Sequence, residues 1–451
     1  MITTPIFTRI MSTADYGQFG VFNSWHGIIS IIAALSLAAG VHVQGLIKYD
    51  QERREFSSSL QGLSTTLICI CAFIYFAFRG FWNNLFSLTT IQMICMIIII
   101  WSTSVFGFWA NEQRVNYSYK ALVGVTVISS ILSTALGIVL VLNMEDKATA
   151  RIIGWTASCL LCFGWMFFAQ MKKGGTYFSV KFWKYALAFN LPLVPHYLSA
   201  TVLNSADRIM IQRMVGESEA GIYNLAYSVA LIMTIFNGAL MQTLNPWIYQ
   251  KIKDMKEMEI APIAYSTMLL IAVVNLFLIL LAPEVVAIFA PKEYYDAIWV
   301  IPPVAISAFF MYTYDLYAKL AFYYEKTVFI MAASMAGAIL NILLNYVFIG
   351  QFGYIAAGYT TLICYAVYVA AHYLFMQKVC RDYCDSRYPY ETKKIMLITI
   401  PFVTVGLLLL LTYNLPVMRY GILLSGIAAA IVMRKYIIGS VCSVLKIRRD
   451  R

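Results

Sequence analysis

Apolar runs of about 20 residues recur along the whole chain, separated by short polar segments, and each is long enough to cross about 30 Å of hydrocarbon as a helix. They predict spans at 19–46, 60–78, 85–110, 120–142 and 152–171, then at 189–213, 220–244, 263–290, 298–324, 328–349 and 354–376. A last pair is expected at 395–413 and 416–438. The alternation of a β-barrel is absent from these runs, which leaves helices as the way to satisfy the backbone in lipid.

The pattern repeats. Arg213, Glu219, Gly221, Tyr223 and Ser228 fall on Arg9, Asp15, Gly17, Phe19 and Ser24 at one offset of 204, and Gly358 and Thr360 fall on Gly154 and Thr156 at the same offset. A register held over so long a stretch predicts a duplication. On that register the opening residues, MITTPIFTRIM, correspond to 205–215, the second half of a helix starting near Asn190, so the first span is expected to be truncated or its start mis-assigned. No charged n-region followed by an apolar core and cleavage site marks a secretory signal there.

These elements predict an all-α polytopic membrane protein built of two parallel six-helix repeats plus two C-terminal helices, with the first helix truncated. Its expected organisation is an N-lobe at 1–180, a C-lobe at 181–385, and helices thirteen and fourteen with a basic cytoplasmic tail at 386–451. Six spans separate the repeats, an even number, so both halves enter the membrane in the same direction about an axis along its normal. That is transporter architecture, whose usual consequence is a cavity opened alternately to each side.

Composition agrees with the pattern: 61% of residues are hydrophobic, 12% are charged and the mean hydropathy is +0.73, against about 25% charged in a soluble domain. Of the 33 Lys and Arg, 24 fall in loops or the tail on one side and seven on the other, with Arg208 and Lys319 inside the membrane. This is the positive-inside signature, which makes the C-terminus cytoplasmic and accounts for the net charge of +11 without nucleic acid. The nine cysteines are odd in number and form no disulfide framework, and Cys159-Leu-Leu-Cys162 reads as packing inside a span. The four histidines are widely separated, and no nucleotide, zinc or triad motif is present.

Charges inside the spans are the candidate chemistry. An ionised side chain in hydrocarbon costs roughly 2.5 to 3.5 kcal/mol on insertion scales, so Asp207 and Arg208 within one apolar run point to a polar cavity, or else to a structural role. Neighbours on a helix point about 100° apart, so these two need not pair with each other. Asp315 and Lys319 are four apart and share a helix face, as a self-neutralised pair or as one that opens to a substrate or coupling ion. Asn341 and Asn345, also four apart, read as glue between helices. Pro192 and Pro195 head the Asp207-Arg208 helix and are expected to bend it, either as a gate or as an ordinary helix start. With Arg9 and Arg213 at the lip, the cations favour an anionic substrate, and guanidinium forks well onto phosphate. The 31 tyrosines and nine tryptophans offer faces for sugars, although interfacial belts explain many of them.

The segment ALAFNLPLVPHYLSATVLNSADRIMIQRMVGESEAGIYNLAYS, followed by NPWIYQKIK, resembles the central part of the bacterial polysaccharide flippases, which translocate O-antigen and capsule repeat units. PIFTRIMSTADYGQFGVFNS is similar to their first-helix exit, and NILLNYVFIGQFGYIAAGYTT to the turn between their eleventh and twelfth helices. The likeness runs through essentially the whole chain. It places the sequence in the superfamily shared with multidrug and toxic compound extruders and the lipid II flippase.

The resemblance implies a transporter, not an enzyme, that flips an oligosaccharide on undecaprenyl pyrophosphate from the cytoplasmic to the outer face of the bacterial inner membrane. Asp207, Arg208 and Arg9 take the family's motif positions, with the arginines near the pyrophosphate or the gate. A polysaccharide polymerase and a chain-length regulator are the implied protein partners. No cofactor is expected, while Asp207 and Asp315 are the candidates for coupling to a proton or sodium gradient. Two readings compete. A drug or cation extruder of the same fold would rely on carboxylates in a less basic cavity, and a membrane polysaccharide polymerase would show a large external loop or a metal-binding Asp motif, neither of which is present.

Overall fold

The computed structural model describes residues 3–432. In chain order its α-helices are α1 (Thr4–Ile10), α2 (Thr13–Ala34), α3 (Gly40–Lys48), α4 (Arg53–Ala77), α5 (Arg79–Phe86), α6 (Thr90–Val115), α7 (Tyr119–Asn143), α8 (Lys147–Gly174), α9 (Val180–Asn190), α10 (Val194–Met214), α11 (Glu217–Lys253), α12 (Ile260–Leu280), α13 (Ala282–Phe289), α14 (Ile301–Tyr323), α15 (Thr327–Phe352), α16 (Ile355–Tyr383), α17 (Thr392–Leu408) and α18 (Pro416–Val432). With no strand among the described residues, this is the all-α polytopic fold that the apolar runs predict.

Ten helical segments among the described residues are long and apolar enough to cross a membrane, or eleven if the bent pair Lys292–Trp299 and Ile301–Tyr323 counts as one span. The other expected spans are shorter or more polar. α1 has seven residues, and α2 interrupts its apolar run with Asp15, Gln18, Asn23 and His26. α18 is described over 17 residues, and its expected end at 438, with the basic tail from Arg434, lies outside the described residues.

The described residues pack as two compact units, one of residues 6–221 and one of residues 222–432 together with 3–5. The sequence repeat puts its lobe border at 180/181, whereas this packing border falls at 221/222. The two differ because α9 packs on α3 and α4, and α10 packs on α2.

In the first unit, Phe22, Met96, Ile99, Ile152 and Met166 form one buried core, and Leu37, Phe56, Leu60, Phe108 and Phe182 form another. Helix starts are fixed by side-chain caps. Ser12 and Asp15 exchange hydrogen bonds in a capping box at α2, Thr89 and Gln92 do the same at α6, and the Asp146 carboxylate takes the Thr149 amide at 2.9 Å to start α8. The repeat-related glycines Gly17 and Gly221 lie against each other. A Cβ on Gly17 would meet the Glu217 carbonyl oxygen at 2.0 Å, and one on Gly221 would meet the Thr13 carbonyl oxygen at 2.0 Å. Thr13 and Glu217 are themselves 204 apart, so the contact is reciprocal, and only glycine allows so close a backbone approach.

One predicted span of this unit, 19–46, is broken. Leu35 and Ser36 adopt left-handed backbone (φ 48° and 50°) between α2 and α3. Carbonyl oxygens along this break accept from distant side-chain amides: Asn190 Nδ2 donates to the Leu35 oxygen, and Asn111 Nδ2 donates to the Ala38 oxygen at 2.7 Å. At an offset of 204 the positions of α2, the break and α3 fall on 217–252, which lie within the one continuous helix α11. The short helices α5 and α13, each of eight residues, correspond in the same way after α4 and α12.

In the second unit α14 is the central helix, packed on α12, α15, α16 and α17 and buried along most of its length. Asn237 Nδ2 donates to the Ala308 oxygen at 2.7 Å and the Tyr312 hydroxyl to Thr267 Oγ1 at 2.7 Å, which satisfies polar groups inside the apolar bundle. α18 is tied down by Arg419, which is 5% exposed and pairs with Glu284 of α13; the Tyr420 hydroxyl donates to the same carboxylate at 2.7 Å.

Candidate functional site

The residues singled out by sequence divide between the two units. Arg9, Pro192, Pro195, Asp207, Arg208 and Arg213 belong to the first unit, and Asp315 and Lys319 belong to the second.

Pro192 sits in a 3-10 turn, Leu191–Leu193, and Pro195 in the first turn of α10. Proline has no amide hydrogen to give to the helix ladder, so the ladder is interrupted where α9 passes into α10. The two helices nonetheless run together as one apolar segment of 35 residues, Val180–Met214. Both prolines are exposed.

α10 buries Leu203, Ser205, Ala206, Asp207, Ile209 and Ile211. Asp207 is 2% exposed and Arg208 half-buried, so successive residues of one helix carry charge at two different depths of packing. The Arg208 guanidinium donates from Nη2 to the Asn204 carbonyl oxygen at 2.7 Å, one turn back. The guanidinium thereby reaches back along its own helix. Arg9, in the last turn of α1, and Arg213, in the last turn of α10, are both exposed.

Beside Arg213 the structure assembles a polar chain that the sequence did not announce. Gln212 Nε2 donates to Gln18 Oε1, Gln18 Nε2 donates to Gln92 Oε1 at 3.3 Å, and Gln92 Nε2 donates to Thr149 Oγ1 at 3.0 Å. Thr149 in turn donates to the Asp146 carboxylate at 2.5 Å, so α10, α2, α6 and α8 are joined through side-chain amides. Glutamines scattered over three spans carry no spacing signal, which is why only the fold reveals them. Nearby in the same unit, the Arg151 guanidinium lies 3.6 Å above the Phe7 ring and donates to the Ser133 carbonyl oxygen at 3.1 Å.

In the second unit the expected pair on α14 is formed: Lys319 Nζ lies 2.6 Å from Asp315 Oδ1, with side chains 8% and 29% exposed. Around it stands an aromatic wall. Tyr314 meets Tyr368 edge to face at 4.6 Å, Tyr368 meets His372 at 4.4 Å, and Tyr317 contacts Tyr373 and Tyr390, each at 5.3 Å. Tyr312, Tyr317 and Tyr368 are thus buried within the second unit. Asn341 and Asn345 act as the sequence spacing suggests: Asn345 Nδ2 donates to Asn341 Oδ1 at 3.2 Å, Asn341 Nδ2 donates to Thr361 Oγ1 at 3.2 Å, and the Thr360 hydroxyl donates to Asn345 Oδ1. They join α15 to α16. Among the described residues no three His, Cys, Asp or Glu side chains come together as a metal site.

Embedded cations, a buried carboxylate and polar lattices between apolar helices suit a protein that passes a polar group through lipid. The chain is similar in structure to the lipid II flippase MurJ in its inward closed conformation, at 15% identity over 97% of this chain and 100% of that one, with a TM-score of 0.70. It is similar to an inward-facing multidrug resistance MATE family transporter of the MOP superfamily, at 14% identity over 84% of this chain and 93% of that one, with a TM-score of 0.62. A MOP superfamily transporter from Pyrococcus furiosus, described as having a binding pocket of reverse polarity, matches at 14% identity over 84% of this chain and 90% of that one, with a TM-score of 0.51. At such identities the likeness carries the fold alone. No curated protein matches the chain by sequence. A family model described as polysaccharide biosynthesis protein matches residues 1–252, which include Arg9, Asp207, Arg208 and Arg213. More than half of the chain is covered, and the chain therefore belongs to the polysaccharide biosynthesis protein family, on a membrane fold that it shares with MurJ and the MATE transporters.

Proposed function

We propose that the protein is a flippase that moves an undecaprenyl-pyrophosphate-linked oligosaccharide, the repeat unit of an O-antigen, capsule or exopolysaccharide, from the cytoplasmic to the outer face of the bacterial inner membrane by alternating access. The observation that carries this reading is Arg208: a half-buried guanidinium on an apolar helix, in the segment matched by the family. The planar guanidinium is shaped to fork onto the oxygens of the carrier's pyrophosphate. Asp207 at the next position and Arg9 and Arg213 at exposed helix ends make up the rest of the proposed path. Asp207 and Asp315 are the groups proposed to link transport to a proton or sodium gradient. The excess of Lys and Arg in alternate loops supports a cytoplasmic C-terminus, and a polymerase and a chain-length regulator are the proposed partners at the outer face.

The test is deletion of the gene with analysis of lipid-linked intermediates and surface polysaccharide, complemented by the chain and by Arg208→Ala. Complete repeat units should accumulate on the carrier in the deletion strain, and Arg208→Ala should reach the membrane without restoring export. Normal export by Arg208→Ala removes this residue from the mechanism. The second reading, a drug or cation extruder, is favoured by one observation: Asp315 neutralises Lys319, which takes one cation out of the set that favours an anionic substrate. A deletion strain with normal polysaccharide and heightened drug sensitivity decides for it.

A further inference from the structure

The connection from α8 through α9 to α10 holds a feature that neither the polar path nor the flippase reading uses. A groove of about 530 Å³ runs along α9, walled by Phe178, Trp183, Leu187, Leu191 and Pro192, with Lys184 as its one charged lining residue. Its walls are built. The Trp183 indole donates to the Ser59 carbonyl oxygen at 2.9 Å, and Phe178 packs edge-on against the same indole at 4.7 Å. The opposite face of α9 buries Phe182 and Ala186 in the core beside Phe56 and Leu60, so the groove face is the one the first unit leaves uncovered.

Charge says what covers it. Residues 172–192 hold Lys172, Lys173, Lys181 and Lys184, all exposed, and no acidic residue. Glu52, which comes from outside this stretch, is taken up by Lys181 at 2.5 Å. From Lys184 to Leu191 the helix advances about 10 Å away from this basic cluster along apolar side chains. A cation at one end of an apolar trough matches a phosphate with an acyl chain, and the positive-inside rule puts that end at the leaflet where anionic lipids concentrate.

We propose that this groove binds an anionic phospholipid, its phosphate beside Lys184 and one acyl chain laid between Trp183 and Pro192. Each lysine near an anionic surface favours it roughly five-fold, so the site prefers phosphatidylglycerol to phosphatidylcholine, and Lys184 accounts for the part of that preference that is specific to the groove.

The test uses the full chain in phosphatidylcholine vesicles doped with a minor fraction of phosphatidylglycerol or phosphatidylcholine brominated on its acyl chains, with tryptophan fluorescence as the readout. Brominated phosphatidylglycerol should quench more than brominated phosphatidylcholine, and the excess should vanish in Trp183→Phe and in Lys184→Glu. Lys184→Gln repeats the charge test at an exposed position if Trp183→Phe fails to insert. Equal quenching by the two lipids, or an excess that survives both substitutions, overturns the proposal. The readout is lipid occupancy and not export, so its failure leaves the flippase reading untouched.

Discussion

Removing Lys319 tests whether the charge pair on α14 stabilises the fold or serves transport. At 2.6 Å and an effective dielectric near 20, the gross attraction is about 6 kcal/mol, and most of it is offset by the desolvation of two ions. Lys319→Met keeps the length of the side chain and leaves Asp315 without its partner. Stripping one member of a buried pair costs about 3 to 5 kcal/mol, and the 29% exposure of the Asp315 side chain places this case near 3 kcal/mol. Asp315→Asn in the same chain removes the stranded charge and should recover roughly 2 kcal/mol of that loss. Thermal unfolding of the purified variants in mild detergent, followed by circular dichroism, measures both steps. A double variant no more stable than Lys319→Met refutes the reasoning, because the cost would then come from lost packing. Polysaccharide export by the double variant answers the second question: a stable protein that does not transport shows that the charges act on the substrate or the coupling ion.

Three further substitutions examine how the first unit is held. Gly17→Ala brings a Cβ to 2.0 Å from the Glu217 backbone oxygen where ordinary contact begins at 3.4 Å, so α2 and the start of α11 must part by about 1.4 Å. Overpacking of this kind costs about 1 to 3 kcal/mol, whereas Gly124→Ala in α7, with open space around it, should stabilise by about 0.5 to 1 kcal/mol; equal melting temperatures for the two contradict the close contact. Asn111→Leu leaves the Ala38 oxygen without its donor and should lower stability by about 1 to 3 kcal/mol. Hydrogen exchange should quicken around residues 35–39 in that variant, and unchanged exchange there shows that Asn111 does not hold the break.

Most of the spans, the offset of 204 and the Asp315–Lys319 pair were legible in the sequence, because each rests on a local period: some twenty apolar residues, one register, four positions on a helix. Gly17 and Gly221 carried part of the offset, and their mutual contact gives a physical reason why both copies have glycine there. The break at Leu35 was not legible. SLAAG contains no proline, and the left-handed turn depends on Asn111 and Asn190, amides that lie far along the chain. The glutamine chain from Gln212 to Thr149 was hidden for the same reason, as was the pairing of Arg419 with Glu284: a polar residue inside a span announces that a partner is needed, and only the fold says which. The packing border at 221/222 follows from where α9 and α10 settle, a matter of side-chain fit that a repeat offset does not encode.

The unbroken α11 has a mechanical meaning. Its 37 residues make a rod about 55 Å long, and hydrocarbon needs only about 30 Å of it. The surplus, near 25 Å, has to emerge into the interface and water, and the helix ends accordingly in Trp247, Tyr249, Lys251 and Lys253. Over the equivalent positions the first unit turns at Leu35 and spends the same length in two shorter pieces. A small tilt of α11 within the membrane is therefore magnified at its basic end, with Pro246 marking the place where the lever can flex; the jointed counterpart absorbs such a tilt at its turn. The two repeat-related segments thus differ as a lever and a joint.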